Sequence, residues 1–198
     1  MLQLQKLSKS FDGSSVIKDF SYDLKANSIY MLEGPNGVGK TTLLKMVRGI
    51  LTQDQGIISM SCGAKHEDCS TYIDANHRSF LHRLTVKENL EYFLALNMKT
   101  VNSEMIQLLM EEFEIYHLKN KVFSSLSVGQ MQLIGIIRGL LEQPKLLLLD
   151  EALNNLDHNR VKNVASYLED FVKSDNRIVI ICSHAKLPIE SEGTVQLK

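Results

Sequence analysis

The stretch "SIYMLEGPNGVGKTTLLKMVRGI", residues 28 to 50, passes from a continuous apolar run through a glycine-rich loop into apolar residues at helical spacing. That order predicts a buried strand, a loop and a helix. Within it, "GPNGVGKT", Gly34 to Thr41, matches G-x4-G-K-[ST] in the setting the motif requires. The loop of Gly34, Pro35, Asn36, Gly37, Val38 and Gly39 can curl around a phosphate chain. Lys40 would place an ammonium between the terminal phosphates, and Thr41, followed by Thr42 in the first helical turn, offers a hydroxyl to Mg2+. A glycine-rich turn with a solvated lysine is the plain alternative, and the flanking strand and helix argue against it.

A phosphate cradle needs a metal partner and a base for water. "LLLLDE", residues 146 to 151, supplies both at the mouth of a buried strand. Asp150 would hold Mg2+ through its water shell and Glu151 would orient or deprotonate the attacking water. Open α/β sheets bind ligands at the carboxyl ends of their strands, where these acids fall. Adjacent acids after an apolar strand can also be a helix cap with a solvated neighbour.

Outward from these motifs, "LQLQKL" and "FSYDL" alternate as edge strands do, and "GIISM" and "CSTYID" read as further short strands. From about residue 85 the spacing becomes helical in "TVKENLEYFLALN" and "SEMIQLLMEEFEIYHL", with cap signals at Thr85 (with Glu88) and Ser103. Helical spacing returns in "RVKNVASYLEDFV", followed by the strands "RIVIIC" and "TVQLK". The expectation is an α/β fold: a P-loop core with a mostly parallel sheet, a small antiparallel N-terminal sheet, and a helical subdomain inserted near residues 85–140. Residues 1–198 are expected to form a single domain.

The 44% hydrophobic and 23% charged residues are ordinary globular values, and the net charge of -1 gives no broad cationic field for nucleic acid. No leader pattern opens the chain, and no apolar run approaches the roughly 18 residues that span a bilayer. The chain is therefore expected to be soluble by itself and intracellular. Cys62, Cys69 and Cys182 are an odd set, read as buried or incidental loop thiols that suit a reducing compartment. Cys62, His66 and Cys69 have C-x3-H-x2-C spacing, but a structural zinc needs a fourth ligand that the sequence does not offer.

"LSVGQ", residues 126 to 130, lies twenty residues before Asp150, counted from Gln130. It resembles the L-S-G-G-Q signature loop of the ATP-binding-cassette (ABC) ATPases. Ser127 suits a helix N-cap, and its hydroxyl with the N–H groups of Val128 and Gly129 would form an anion site. The resemblance implies that this anion is the γ-phosphate of ATP held by an opposite subunit, with Gln130 in the same motif. It also implies that Phe11 stacks on adenine, that "NNLD", ending at Asp157, is the loop crossing a dimer interface, and that His184 after "IVIICS" contacts the γ-phosphate.

Three departures from the family pattern stand out. Ala152 replaces a proline after the paired acids, Val128 replaces a glycine and is stiffer, and Asn76 with His77 stands where a glutamine is expected. The resemblance further implies ATP and Mg2+ as ligands, and a second ABC subunit, identical or not, that sandwiches two nucleotides. It implies a separate transmembrane permease subunit docking beside Asn76, and a peripheral place on the cytoplasmic side of a bacterial inner membrane or its organelle equivalent. The short plan, with a last strand ending at Lys198, and "EGPNG" resemble the haem-exporter ATPase of cytochrome c maturation. Two other readings stay open: a soluble ABC ATPase uncoupled from transport, and a weakly hydrolysing, nucleotide-gated binding module.

Overall fold

A computed structural model describes residues 1–62, 65–76, 79–97, 102–183 and 187–197. The chain opens with two long strands, β1 (Leu2–Phe11) and β2 (Ser14–Leu24), then β3 (Ser28–Glu33), helix α1 (Lys40–Arg48), β4 (Gln55–Met60) and β5 (Ser70–Asp74). Three helices follow: α2 (Val86–Leu96), α3 (Ser103–Glu112) and α4 (Val128–Leu141). The order closes with β6 (Leu146–Asp150), α5 (His158–Val172), β7 (Ile178–Cys182) and β8 (Gly193–Gln196).

Continuous apolar strands are stable only with both faces covered. Every residue of β6 and β7 is accordingly buried. They sit inside a five-stranded parallel sheet of order β5-β6-β7-β3-β8. One face packs on α4 and α5 through Leu147, Leu149, Val179 and Ile181. The other packs on α1 through Leu146, Leu148, Ile178 and Ile180. Since side chains alternate along a strand, Tyr72, Asp74 and Asp150 fall on the α1 face. That alternation brings the last carboxylates of β5 and β6 to the side where the glycine loop ends.

The antiparallel sheet has three strands in the order β2-β1-β4. It is N-terminal only in part, because β4 arrives after α1 and pairs with β1. The helical region is present, with α2 and α3 packed on α4. Thr85 and Glu88 form a reciprocal capping box at α2. At α3 the cap is Asn102, whose side chain accepts from Met105 N–H at 3.0 Å, and Ser103 is the first helical residue. The helix also stops earlier than its spacing predicts. Glu114 takes φ 58°, and the turn lets Ile115 and Leu118 bury in the same core as Leu109 and Met110. Among the described residues, no helix is long and apolar enough to cross a membrane.

Candidate functional site

The glycine loop is built by conformations that a side chain would obstruct. Gly39 caps α1 with φ 108°, and a Cβ there would meet Val16 Cγ1 of β2 at 2.9 Å. Lys40 is only 8% exposed, and its ammonium donates to the carbonyls of Gly34 at 2.8 Å and Pro35 at 3.0 Å. The cation is thus held inside the loop that phosphate would enter. Beside it lies a cavity of about 550 Å3 lined by Phe11, Asn36, Gly37, Lys40, Thr41 and Glu151, among others. The Phe11 ring is exposed, with Lys9 Nζ 5.5 Å from its centroid, and Lys9 is itself paired to Asp54 at 2.6 Å.

A second cavity of about 520 Å3 is shared by Thr41, Tyr72, Asp74, Asn76, Asp150 and Glu151. Asp74 and Asp150 are register partners at the ends of β5 and β6. Tyr72 Oη donates to Asp150 Oδ2 at 2.7 Å. Burial, then the bond to Asp150 and its charge, push the Tyr72 hydroxyl above its ordinary range, so it stays a donor. Asp150 is 5% exposed, and its Oδ1 is buried without a hydrogen-bond partner. Such an oxygen is costly unless a ligand satisfies it.

Among the described residues, no group of three or more His, Cys, Asp or Glu side chains could hold a metal ion. A cation held by Thr41 and Asp150 would have to complete its shell with water and phosphate oxygens, as Mg2+ does readily. The orphaned Asp150 Oδ1 and the Thr41 hydroxyl fit that ion.

Glu151 takes φ 57°, a left-handed conformation unusual for a side-chain-bearing residue. Its N–H donates to Cys182 O at 2.9 Å, and its carbonyl accepts from Gln132 Nε2 at 3.2 Å. Burial, the nearby Asp150 charge and, more weakly, a side-chain contact with Asp150 push the Cys182 thiol up to about 12, so it stays an unreactive neutral thiol against that carboxylate.

Ser127 caps α4 in a second capping box with Gln130. Val128 is the first residue of that helix and is 56% exposed, so no glycine-only conformation is required there. The glycine that matters sterically is Gly129, where a Cβ would meet Asn155 O at 2.9 Å. Asp157 caps α5, accepting from Arg160 N–H at 3.0 Å, and Ala152 is fully buried. Neither of the two cavities described above is lined by Ser127, Gly129 or Gln130. His184 and His77 lie outside the described residues.

One correction concerns the cysteines. Cys62 and Cys69 are joined in a disulfide instead of standing as separate thiols, while Cys182 is free and buried. Tyr72, Asp74 and Gln132 touch or line the site without having been singled out in the sequence. Tyr72 was hidden in an ordinary alternating strand, and Gln132 showed only as one amide in an otherwise apolar helical run.

A phosphate loop between a buried strand and a helix, with paired acids at the mouth of a parallel strand, defines the class of P-loop nucleotide-binding proteins. Within that class the chain belongs to the ABC transporter family, whose model matches residues 17–154. It is 31% identical over 196 residues to an uncharacterized ABC transporter ATP-binding protein, YcbN, of Bacillus subtilis (strain 168), covering 96% of this chain and 63% of that one. It is 33% identical to the spermidine/putrescine import ATP-binding protein PotA of Aliivibrio fischeri, covering 93% of this chain and 51% of PotA. Identity is 32% to the lipopolysaccharide export system ATP-binding protein LptB of Haemophilus influenzae, covering 93% of this chain and 80% of LptB. The chain therefore spans about half to four-fifths of the length of these relatives. A solved chain from Pyrococcus furiosus shares the fold at a TM-score of 0.86 and 24% identity, covering 99% of this chain and 96% of that one.

Proposed function

We propose that this chain binds and hydrolyses ATP as the nucleotide-binding subunit of an ABC transporter, driving a separate transmembrane permease subunit. The observation that carries the reading is the buried, unpartnered Asp150 Oδ1 in the cavity it shares with Thr41 and Glu151. An orphaned carboxylate oxygen beside a phosphate loop is what a metal–nucleotide site needs before its ligand arrives.

In this reading Phe11 stacks on the adenine, and the loop amides with Lys40 hold the phosphates. To do so, the ammonium exchanges its bonds to the Gly34 and Pro35 carbonyls for phosphate oxygens. Thr41 and Asp150 would hold Mg2+, which would supply charge neutralisation to the phosphate oxygens. Glu151 accepts a proton from the attacking water, and His184 steadies the γ-phosphate side. Ser127 and Gly129, absent from this chain's own nucleotide cavities, serve the nucleotide of a second ABC subunit, and Asp157 lies on the shared surface. The exposed Asn76 stands at the edge of the second cavity, where a permease segment would sense the site from the cytoplasmic side of the membrane.

Relatives named for polyamine import and for lipopolysaccharide export share this plan, so the plan does not encode cargo. Haem export, suggested by the compact chain and "EGPNG", gains no support from them.

The reading is tested by ATP turnover of the chain with its membrane partner, against Glu151→Gln. Loss of a general base lowers turnover by about a hundredfold or more, and equal rates sink the catalytic assignment. A weakly hydrolysing, nucleotide-gated module is the second reading, favoured by the short amide of the exposed Asn76 where the family has glutamine. It requires nucleotide-driven subunit association with negligible turnover in the unmodified chain.

A further inference from the structure

The Asp150 carboxylate sits on a torsion that intrinsic preferences define poorly, because an sp3–sp2 bond has a broad, two-fold profile. Something else must decide which oxygen faces the cavity. In this structure Tyr72 reaches from the neighbouring strand and donates to Oδ2 at 2.7 Å, leaving Oδ1 buried and without a partner. The tyrosine is well placed for that task. Its backbone is fixed by the β5–β6 ladder, where Tyr72 pairs with Leu148 and Asp74 with Asp150. Its ring packs against the α1-side core, so the hydroxyl is delivered from a rigid base.

We propose that Tyr72 is a positioning residue for the metal: it locks Asp150 so that Oδ1 is the oxygen presented toward Mg2+. The inference rests on the nucleotide-site reading above and assigns a role to a residue of β5 that lies outside the loop, acid and signature motifs. A hydrogen bond that orients a metal-holding carboxylate typically influences metal affinity by about ten- to a hundredfold. Removing the hydroxyl frees the carboxylate to rotate while the ring still fills its place.

The test is equilibrium binding of a fluorescent ATP analogue to the full chain and to Tyr72→Phe, in EDTA and across a Mg2+ titration, with a thermal melt of each protein. The expected result is metal-free nucleotide affinity unchanged within about twofold and a Mg2+ requirement raised about tenfold in the variant. An unchanged Mg2+ requirement overturns the proposal. So does equal weakening with and without Mg2+, or a variant that fails to fold, since either makes Tyr72 a packing residue. Adding Mg2+ must also tighten analogue binding to the unmodified chain; if it does not, the nucleotide-site reading itself fails, a result distinct from the failure of Tyr72.

Discussion

The side-chain amide of Gln132, 1% exposed within α4, donates to the backbone carbonyl of Glu151 at 3.2 Å. The helix that begins at Ser127 is thereby tied to the residue at the mouth of β6, across the interior of the protein. Glu151 needs such restraint, because its left-handed backbone is held only if the surroundings over-determine it. Replacing Gln132 by Ala should lower ATP turnover between about tenfold and a hundredfold, since a small displacement of a reacting group is costly. The KM for ATP should hold within about twofold, because the bond Gln132 makes is to the Glu151 carbonyl and not to a glycine-loop residue. Steady-state kinetics check this, and a KM that rises in step with the fall in kcat counts against it.

The same backbone yields a prediction about stability. A left-handed conformation costs an L residue about 1–2 kcal/mol, while glycine adds about 0.4–1 kcal/mol of unfolded-chain entropy. Glu151→Gly should therefore raise unfolding stability by roughly 0.5–1 kcal/mol while abolishing turnover. Denaturant unfolding of the two proteins decides it; a variant no more stable than the parent means that the Glu151 side chain contributes more to folding than its backbone strain removes.

How much of this was legible in the sequence follows from which forces act locally. The central strands were readable because complete burial writes continuous apolar runs, as in "LLLLD" and "IVIIC". The loop around Gly39 was readable because a positive φ at a helix start leaves a glycine signature. The early end of α3 was not, because Glu114 adopts its left-handed turn to satisfy the burial of Ile115 and Leu118, a tertiary demand with no local mark. Tyr72 and Gln132 were missed for the same reason: each bonds a partner 78 or 19 residues away, and polar residues in a strand or helix do not announce such partners. The disulfide between Cys62 and Cys69 was likewise invisible to counting, since an odd total of cysteines says nothing about which two meet.

Val128 and Gly129 separate two ideas about the signature stretch that the sequence leaves tangled. Val128 is a first-turn helical residue with its side chain in solvent, so Val128→Gly should lower stability by no more than about 0.5 kcal/mol through helix propensity. Gly129→Ala would force a Cβ to within 2.9 Å of the Asn155 carbonyl, a backbone atom that cannot swing aside. A loss of about 1–3 kcal/mol is expected, the usual cost of overpacking. Thermal and denaturant melts of the two variants give the comparison. Equal effects, or a harmless Gly129→Ala, mean that the loop holding Asn155 yields where the structure shows it packed.

His66 supplies a pH dependence from outside the glycine loop and the paired acids. It lies within the loop closed by Cys62 and Cys69, half-buried, with its Nε2 lacking a hydrogen-bond partner. Burial lowers its pKa from 6.5, opposed by the charges of Glu67 and Asp68 and assisted by Arg48. The folded protein therefore prefers neutral His66 more strongly than the unfolded chain does. With the folded value depressed, the His66 contribution is intact above the unfolded value of 6.5 and is lost as pH falls through the lower folded value. Melting temperatures between about pH 7.5 and about pH 5.5 should consequently fall more steeply for the parent than for His66→Gln, which carries no titrating ring. The difference should grow only on the acid side, because above the unfolded value both states hold the imidazole neutral and the linkage vanishes. Parallel curves for the two proteins would mean that the ring reaches solvent easily enough in the folded loop to be protonated there as readily as in the unfolded chain.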